Sequence, residues 1–350
     1  MSGAVTSAAD EARTAAAGRA AGPSAGPWRR ALARLRRNRS AVIAAAGLLL
    51  IVLACVLAPV YAGAVAHTDL FTSNASGTAI VDGQRVPVLA QSTEGLGLGV
   101  TPIGPTWDPG SYLLGADNQG RDVMARLLYG GRNSLLIGLS SALLCCAIAT
   151  VLGVVAGYFG GWIDAVLSRF FDVVWAFPVY LLAICLSVVL LTSGLHLGPI
   201  HIDAGSLALP VVIIALIYVP YVARPLRGQV MALRDKEFLH AAVGLGASDL
   251  RIMRREVLPN VLPTVVVFLP LMTALNMLTE SALSFLSVGV QSPDASWGTI
   301  INDGLALLYT RPAITLAAGL CVGLTAVALN VLGDGVRDAL DPNARLRGGA

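Results

Sequence analysis

The chain has 350 residues, of which 55% are hydrophobic and 13% charged, with a formal net charge of +3. A soluble chain of this length carries roughly twice that charge density. Its long uncharged runs exclude a soluble domain and read as transmembrane helices, because about 20 residues at a 1.5 Å rise cross the hydrocarbon core.

Residues 1–27 are rich in Ala, Gly, Ser and Thr and read as a disordered tail. Arg29, Arg30, Arg34, Arg36, Arg37 and Arg39 then lead directly into the first apolar run. That run is too long for the core of a cleaved signal peptide, so a retained signal anchor is expected. Six spans are predicted, at 40–61, 134–157, 170–191, 207–222, 261–288 and 313–332. Pro210 and Pro220 make the fourth the least regular, and Pro263 and Pro270 predict an irregular start to the fifth.

The first inter-span segment, 62–131, opens polar and irregular, with a hairpin expected across 79–90 around Asp82-Gly83. It continues into DNQGRD at 117–122 and an amphipathic stretch at 123–129. DNQGRD lacks calcium-loop spacing and reads as a turn with Asp122 capping a helix. After the second span, Gly160-Gly161 permits a tight reversal, and Asp164 is placed to cap the third helix.

The segment 224–260 is long, basic and helix-prone, whereas short connections are the norm. Phe238, Ala241, Ala242 and Leu245 share one helical face from Glu237 onward. Gly244 and Gly246 allow a bend, Ser248 or Asp249 starts a second short helix, and Pro259 ends it. Two readings of this pair stand: a surface that docks another protein, or an amphipathic element lying on lipid headgroups. Basic residues recur at 224–255 and in the tail (Arg337, Arg345, Arg347), while 194–206 has none. Positive residues stay on the cytoplasmic side, so six spans place both termini there.

Inside the membrane, Asn276 and Glu280 share one face of the fifth span. A carboxylate at depth must be paired or hydrated, so they are candidates either for a pathway lining or for interhelical hydrogen bonds. Cys55, Cys145, Cys146, Cys185 and Cys321 lie in predicted spans without metal spacing and read as packing residues. His196 and His201 form only a weak metal signal in a short loop. There is no G-x-x-x-x-G-K-[ST] phosphate loop, so ATP is not bound by that route. No catalytic constellation is present, and no internal repeat supports a secondary transporter.

The segment 237–259 resembles the EAA coupling loop of ABC importer permeases. Ala241, Ala242, Gly246, Leu258 and Pro259 match its spacing, whereas His240 replaces the first Glu and Glu256 a hydrophobe. WRRALARLRRNRS (28–40), DNQGRD (117–122), GGWID (160–164), ESALSFLSVG (280–289), SWG (296–298) and GDGVRDALDP (333–342) are similar to the C-type permease of dipeptide, oligopeptide and nickel importers. The resemblance covers nearly the whole chain. It implies an all-α polytopic fold: a MetI-like core of five helices at 132–333, preceded by one N-terminal helix and followed by a cytoplasmic tail at 334–350. It implies a homologous B-type permease partner, two cytoplasmic ATPases that bind ATP-Mg, and an extracytoplasmic binding protein, in an inner cell membrane and with no nucleic acid. The chain itself is expected to hold no cofactor or metal and to catalyse nothing. ATPase coupling then falls to Glu237, His240, Ala241, Ala242, Gly246, Ala247, Leu258 and Pro259. Peptides lead the expected substrates, with nickel or another small solute as the alternative.

Overall fold

The computed structural model describes residues 27–340 apart from 82, 92–98 and 111. Expectations for residues 1–26, for Asp82 itself and for the tail beyond 340 lie outside the described residues. The rest is helical, with three small hairpins. The helices are α1 (Pro27–Leu35), α2 (Arg39–Val56), α3 (Val123–Phe159), α4 (Gly161–Ala176), α5 (Val179–Ser193), α6 (Ala208–Arg234), α7 (Glu237–Gly244), α8 (Asp249–Phe285), α9 (Trp297–Leu305) and α10 (Ala313–Leu340). Five are long and apolar enough to span a membrane, and six spans result when the bent α4–α5 pair counts as one.

That bend, 89°, corrects the expectation of a continuous third span. The ring of Pro178 crowds the residue before it and excludes the α conformation there, and Phe177 is extended (φ −87°, ψ 140°). The first span ends at Val56, earlier than expected; a short turn containing Pro59 and a π turn at Tyr61–Val65 follow. The other corrections are overruns. α3 has 37 residues and is about 55 Å long, so the amphipathic stretch at 123–129 belongs to the spanning helix. α6 carries Arg224, Arg227 and Arg234 as helical residues rather than loop residues, and α10 reaches Leu340. Pro259 does not end a helix: Asp249–Phe285 runs on through a π turn at Met253–Val257, with Pro259 in the first turn after it. A proline there costs little, since the π turn directly before it already interrupts the regular α-helical bonding.

Two antiparallel hairpins lie between α2 and α3: β1 (Thr78–Val81) with β2 (Gln84–Pro87), and β3 (Leu89–Gln91) with β4 (Val100–Pro102). The first matches the expected hairpin. A third, β5 (Leu195–Leu197) with β6 (Ile200–Ile202), joins α5 to α6. Gly153 lies against Ala223, and Gly157 against Arg227 and Val230, so α3 and α6 run parallel. All three hairpins therefore sit at one end of the bundle (the hairpin end), and α7 sits at the other.

The main core is built from α3, α4, α6 and α8, including Ile137, Phe171, Ile214, Leu226 and Met272. A second cluster joins α2, α3, α9 and α10 through Cys55, Trp297 and Ile314. Ile43, Leu50, Val151 and Leu316 remain more than half exposed, as residues facing lipid do.

Candidate coupling surface and polar core

α7 is anchored from beneath and bare above. Leu239 is buried in the main core together with Ile252 and Val257. Phe238, Ala241 and Leu245 point outward, with Leu245 88% exposed and Leu250 66% exposed beyond the bend. Glu237, in the first turn, and His240 are exposed as well. Ala242 and Ala247 are half-buried at the core's edge. Gly246 has φ +76°, the left-handed region that glycine enters without strain. The amides of Leu245, Gly246 and Ala247 close the helix onto the carbonyls of Ala241, Val243 and Ala242. Ser248 begins the next helix without a side-chain cap bond, while Asp249 accepts a 2.8 Å hydrogen bond from Tyr158 at the end of α3. Leu258 and Pro259 lie farther along α8, beyond its π turn.

Behind this surface, Asp164 does not cap α4 as expected. It accepts both forks of Arg227 on α6 and a 3.2 Å bond from Ser168. Arg224 donates to Asp172 at 2.8 Å. These pairs tie α4 to α6 next to the coupling loop. The GGWID motif gave no hint of these partners, which lie more than 50 residues away.

At the hairpin end, Asp122 caps α3 as expected, accepting from the Ala125 amide at 3.0 Å. Asp117 is a hub. Its Oδ1 accepts from the Gln119 and Arg121 amides, and its Oδ2 from Arg121 Nε and Arg126 Nη1, both at 2.7 Å. Arg121 and Arg126 then reach Asp303 on α9 at 3.3 and 3.1 Å. Burial raises the Asp303 carboxyl to about 6, against the pull of Arg121 and with a push from Asp117. The result is a four-residue ion network, buried except at Asp303, that clasps DNQGRD to α9. It borders a polar cleft with about 180 Å³ of room for water.

Asn276 and Glu280 are both 0% exposed. The Asn276 amide lies 3.0 Å from Ser141 Oγ and 3.1 Å from the Ala142 amide on α3. Glu280 accepts from Ser284 Oγ at 2.7 Å and Ser281 Oγ at 3.4 Å, and the hydroxyls of Ser134 and Ser296 also reach it. Ser296 caps α9 in a reciprocal capping box with Thr299. Ser134 accepts from the Trp297 amide at 3.1 Å, and the Trp297 indole donates to Leu127 O at 3.0 Å. A Cβ on Gly298 would collide with the Ser281 carbonyl, so SWG needs its glycine for close approach to α8. One carboxylate thus joins α3, α8 and the start of α9. Sequence reading found the carboxylate but not its hydroxyl partners, because serine is too common to signal a partner.

These features define a polytopic helical permease core, with an anchored, outward-facing apolar loop at one end and a clasped polar cleft at the other. The chain belongs to the family described as binding-protein-dependent transport system inner membrane component, whose model matches residues 149–346. The N-terminal TM domain of oligopeptide transport permease C matches residues 26–75. Among relatives, the glutathione transport system permease protein GsiD of Pectobacterium atrosepticum is 37% identical over 67% of this chain and 74% of its own length. The dipeptide transport system permease protein DppC of Alkalihalophilus pseudofirmus is 32% identical over 91% of both chains. The fold is also that of a chain of the MetNI methionine ABC transporter in an inward-facing conformation: TM-score 0.50, 17% identity, 62% of this chain and 97% of that one.

Proposed function

We propose that this chain is the C-type half of the membrane channel in an ATP-driven importer of di- or oligopeptides. It pairs with a homologous B-type permease, receives substrate from an extracytoplasmic binding protein and is driven by two ATPases. The ATPases bind ATP-Mg and carry the catalysis; this chain binds neither cofactor nor metal for that purpose. Both termini and α7 face the cytoplasm. The observation that carries this reading is α7 itself, whose apolar outer face has no partner among the described residues although Leu239 holds it to the core. Relatives named for dipeptide and glutathione transport support the substrate class. Glu237, His240, Ala241, Ala242, Gly246 and Ala247 form the contact. Leu258 and Pro259 pass its movement into α8 as a rigid-body displacement.

The test is a mild-detergent pull-down with an ATPase assay on the product. The native chain recovers a second permease and two ATPases with ATP turnover. Leu245→Glu keeps the second permease and loses the ATPases, since a charge now sits at the centre of the docking face. A homo-oligomer without ATP turnover would overturn the proposal. Gly246→Val tests the bend separately. A Cβ there meets open space, so no clash arises among the described residues. The left-handed backbone costs the valine about 1–2 kcal/mol and re-aims α7. The variant inserts at normal levels, as scored by membrane fractionation, yet transports at a small fraction of the native rate.

A further inference from the structure

His196 and His201 stand directly opposite each other across the β5–β6 hairpin, with Nδ1 facing Nδ1 at 2.6 Å. Of their outer nitrogens, only that of His196 is hydrogen-bonded. His196 Nε2 lies 2.8 Å from the Ser193 carbonyl, and His201 Nε2 faces the Asp203 carboxylate at 3.7 Å. The Ser193 carbonyl holds the His196 proton on Nε2 and leaves its Nδ1 as a lone pair, whereas 3.7 Å is beyond hydrogen-bond reach and leaves His201 to carry its proton on Nδ1 and donate it to His196. A metal ion that takes the place of this one proton meets two imidazole nitrogens already aimed at a common point.

We propose that this hairpin is a binding site for a divalent transition metal of tetragonal preference, Cu²⁺ or Ni²⁺. At a metal–nitrogen distance of about 2.0–2.1 Å, ligands at right angles stand about 2.9 Å apart, whereas tetrahedral ligands need about 3.3 Å. Both are wider than the hydrogen-bonded 2.6 Å, and the right-angled pair, which is the geometry of Cu²⁺ and Ni²⁺, needs the smaller opening. The Ser193 carbonyl supplies His196 with the outer hydrogen-bonding partner that orients a metal-binding imidazole, and Asp203 places a negative charge 3.7 Å from His201. Gly198, at φ +57° between the strands, closes the turn that brings the two rings together, 3.9 Å apart and tilted by 48°. His201 and Asp203 are 65% and 87% exposed, so aqueous metal reaches the site. Among the described residues no group of three or more His, Cys, Asp or Glu side chains converges, so water fills the remaining positions. The metal clips the connection between α5 and α6 at the hairpin end. This inference stands apart from the importer reading.

The chain has only four histidines, His67, His196, His201 and His240, which makes the test clean. Cu²⁺ is titrated into the full chain, purified without a histidine tag, and followed by electron paramagnetic resonance with electron-spin-echo detection of imidazole nitrogens. One equivalent binds with two imidazoles. His196→Ala and His201→Ala each lose the two-imidazole signature, while His67→Ala and His240→Ala keep it. Asp203→Asn retains the signature but binds about tenfold more weakly. A native spectrum with one imidazole or none overturns the site without reference to any variant. So does unchanged Cu²⁺ affinity in the His196→Ala/His201→Ala double variant, and in that case the imidazoles share a proton instead.

Discussion

Asp117→Ala is expected to strip the folded permease from the membrane. Asp117 faces two guanidiniums at 2.7 Å, and it, Arg121 and Arg126 have side chains only 4% exposed. Removing it leaves two buried cations sharing Asp303 alone. Losing one partner of a buried ion network costs about 3–5 kcal/mol, because the remaining charges stay desolvated. Asp303 cannot compensate, since it already serves both arginines through Oδ2. The backbone also loses the acceptor for the Gln119 and Arg121 amides, so the turn opens along with the ion network. The measurement is thermal unfolding of detergent-purified protein, with membrane yield scored in parallel. Arg126→Met should fall almost as far. Native stability in Asp117→Ala would mean that water already reaches these charges, and the clasp between DNQGRD and α9 would have to be abandoned.

Glu280→Ala should be nearly as damaging, for a different reason. The carboxylate is the common acceptor for hydroxyls on α3, α8 and the first turn of α9. Its loss leaves several buried donors seeking partners and opens a cavity beside Trp297. Each unsatisfied group costs about 1–3 kcal/mol, and the void adds to that. Ser284 also accepts from the Val290 amide at 3.0 Å, so the turn after α8 loosens with it. Glu280→Gln keeps an acceptor of the same shape and should remain within about 1.5 kcal/mol of the native protein. Thermal unfolding separates the two variants, and peptide uptake measured on Glu280→Gln then isolates any direct role. Slowed uptake at native stability would assign the carboxylate to the translocation path. Native uptake would leave it as the joint between α9 and the spans.

Part of this architecture follows from local chemistry. Hydropathy fixes the spans because the bilayer is a solvent, and a run of about 20 apolar residues has little alternative to crossing it. The cap at Asp122, the first hairpin and the bend at Gly246 follow from residues adjacent in the chain. The helix ends do not. α3, α6 and α10 continue past their apolar runs, since charged residues leave the hydrocarbon without leaving the helix and hydropathy reports solvent rather than backbone. The bend at Pro178 was legible, because proline constrains its predecessor, but the apolar run on both sides masked it.

By itself, the sequence determined a helical membrane permease with a basic, glycine-hinged loop, since span, cap and turn are properties of neighbours along the chain. Only the tertiary structure decided what the charges do. Asp303 meets Arg121 from 182 residues away, Arg227 meets Asp164 from 63, and Ser134 and Ser296 converge on Glu280 from two other helices. Pairings at such separations are chosen by which helix faces pack together. They exist because a polar group in a dry interior is stable only where folding brings it a partner.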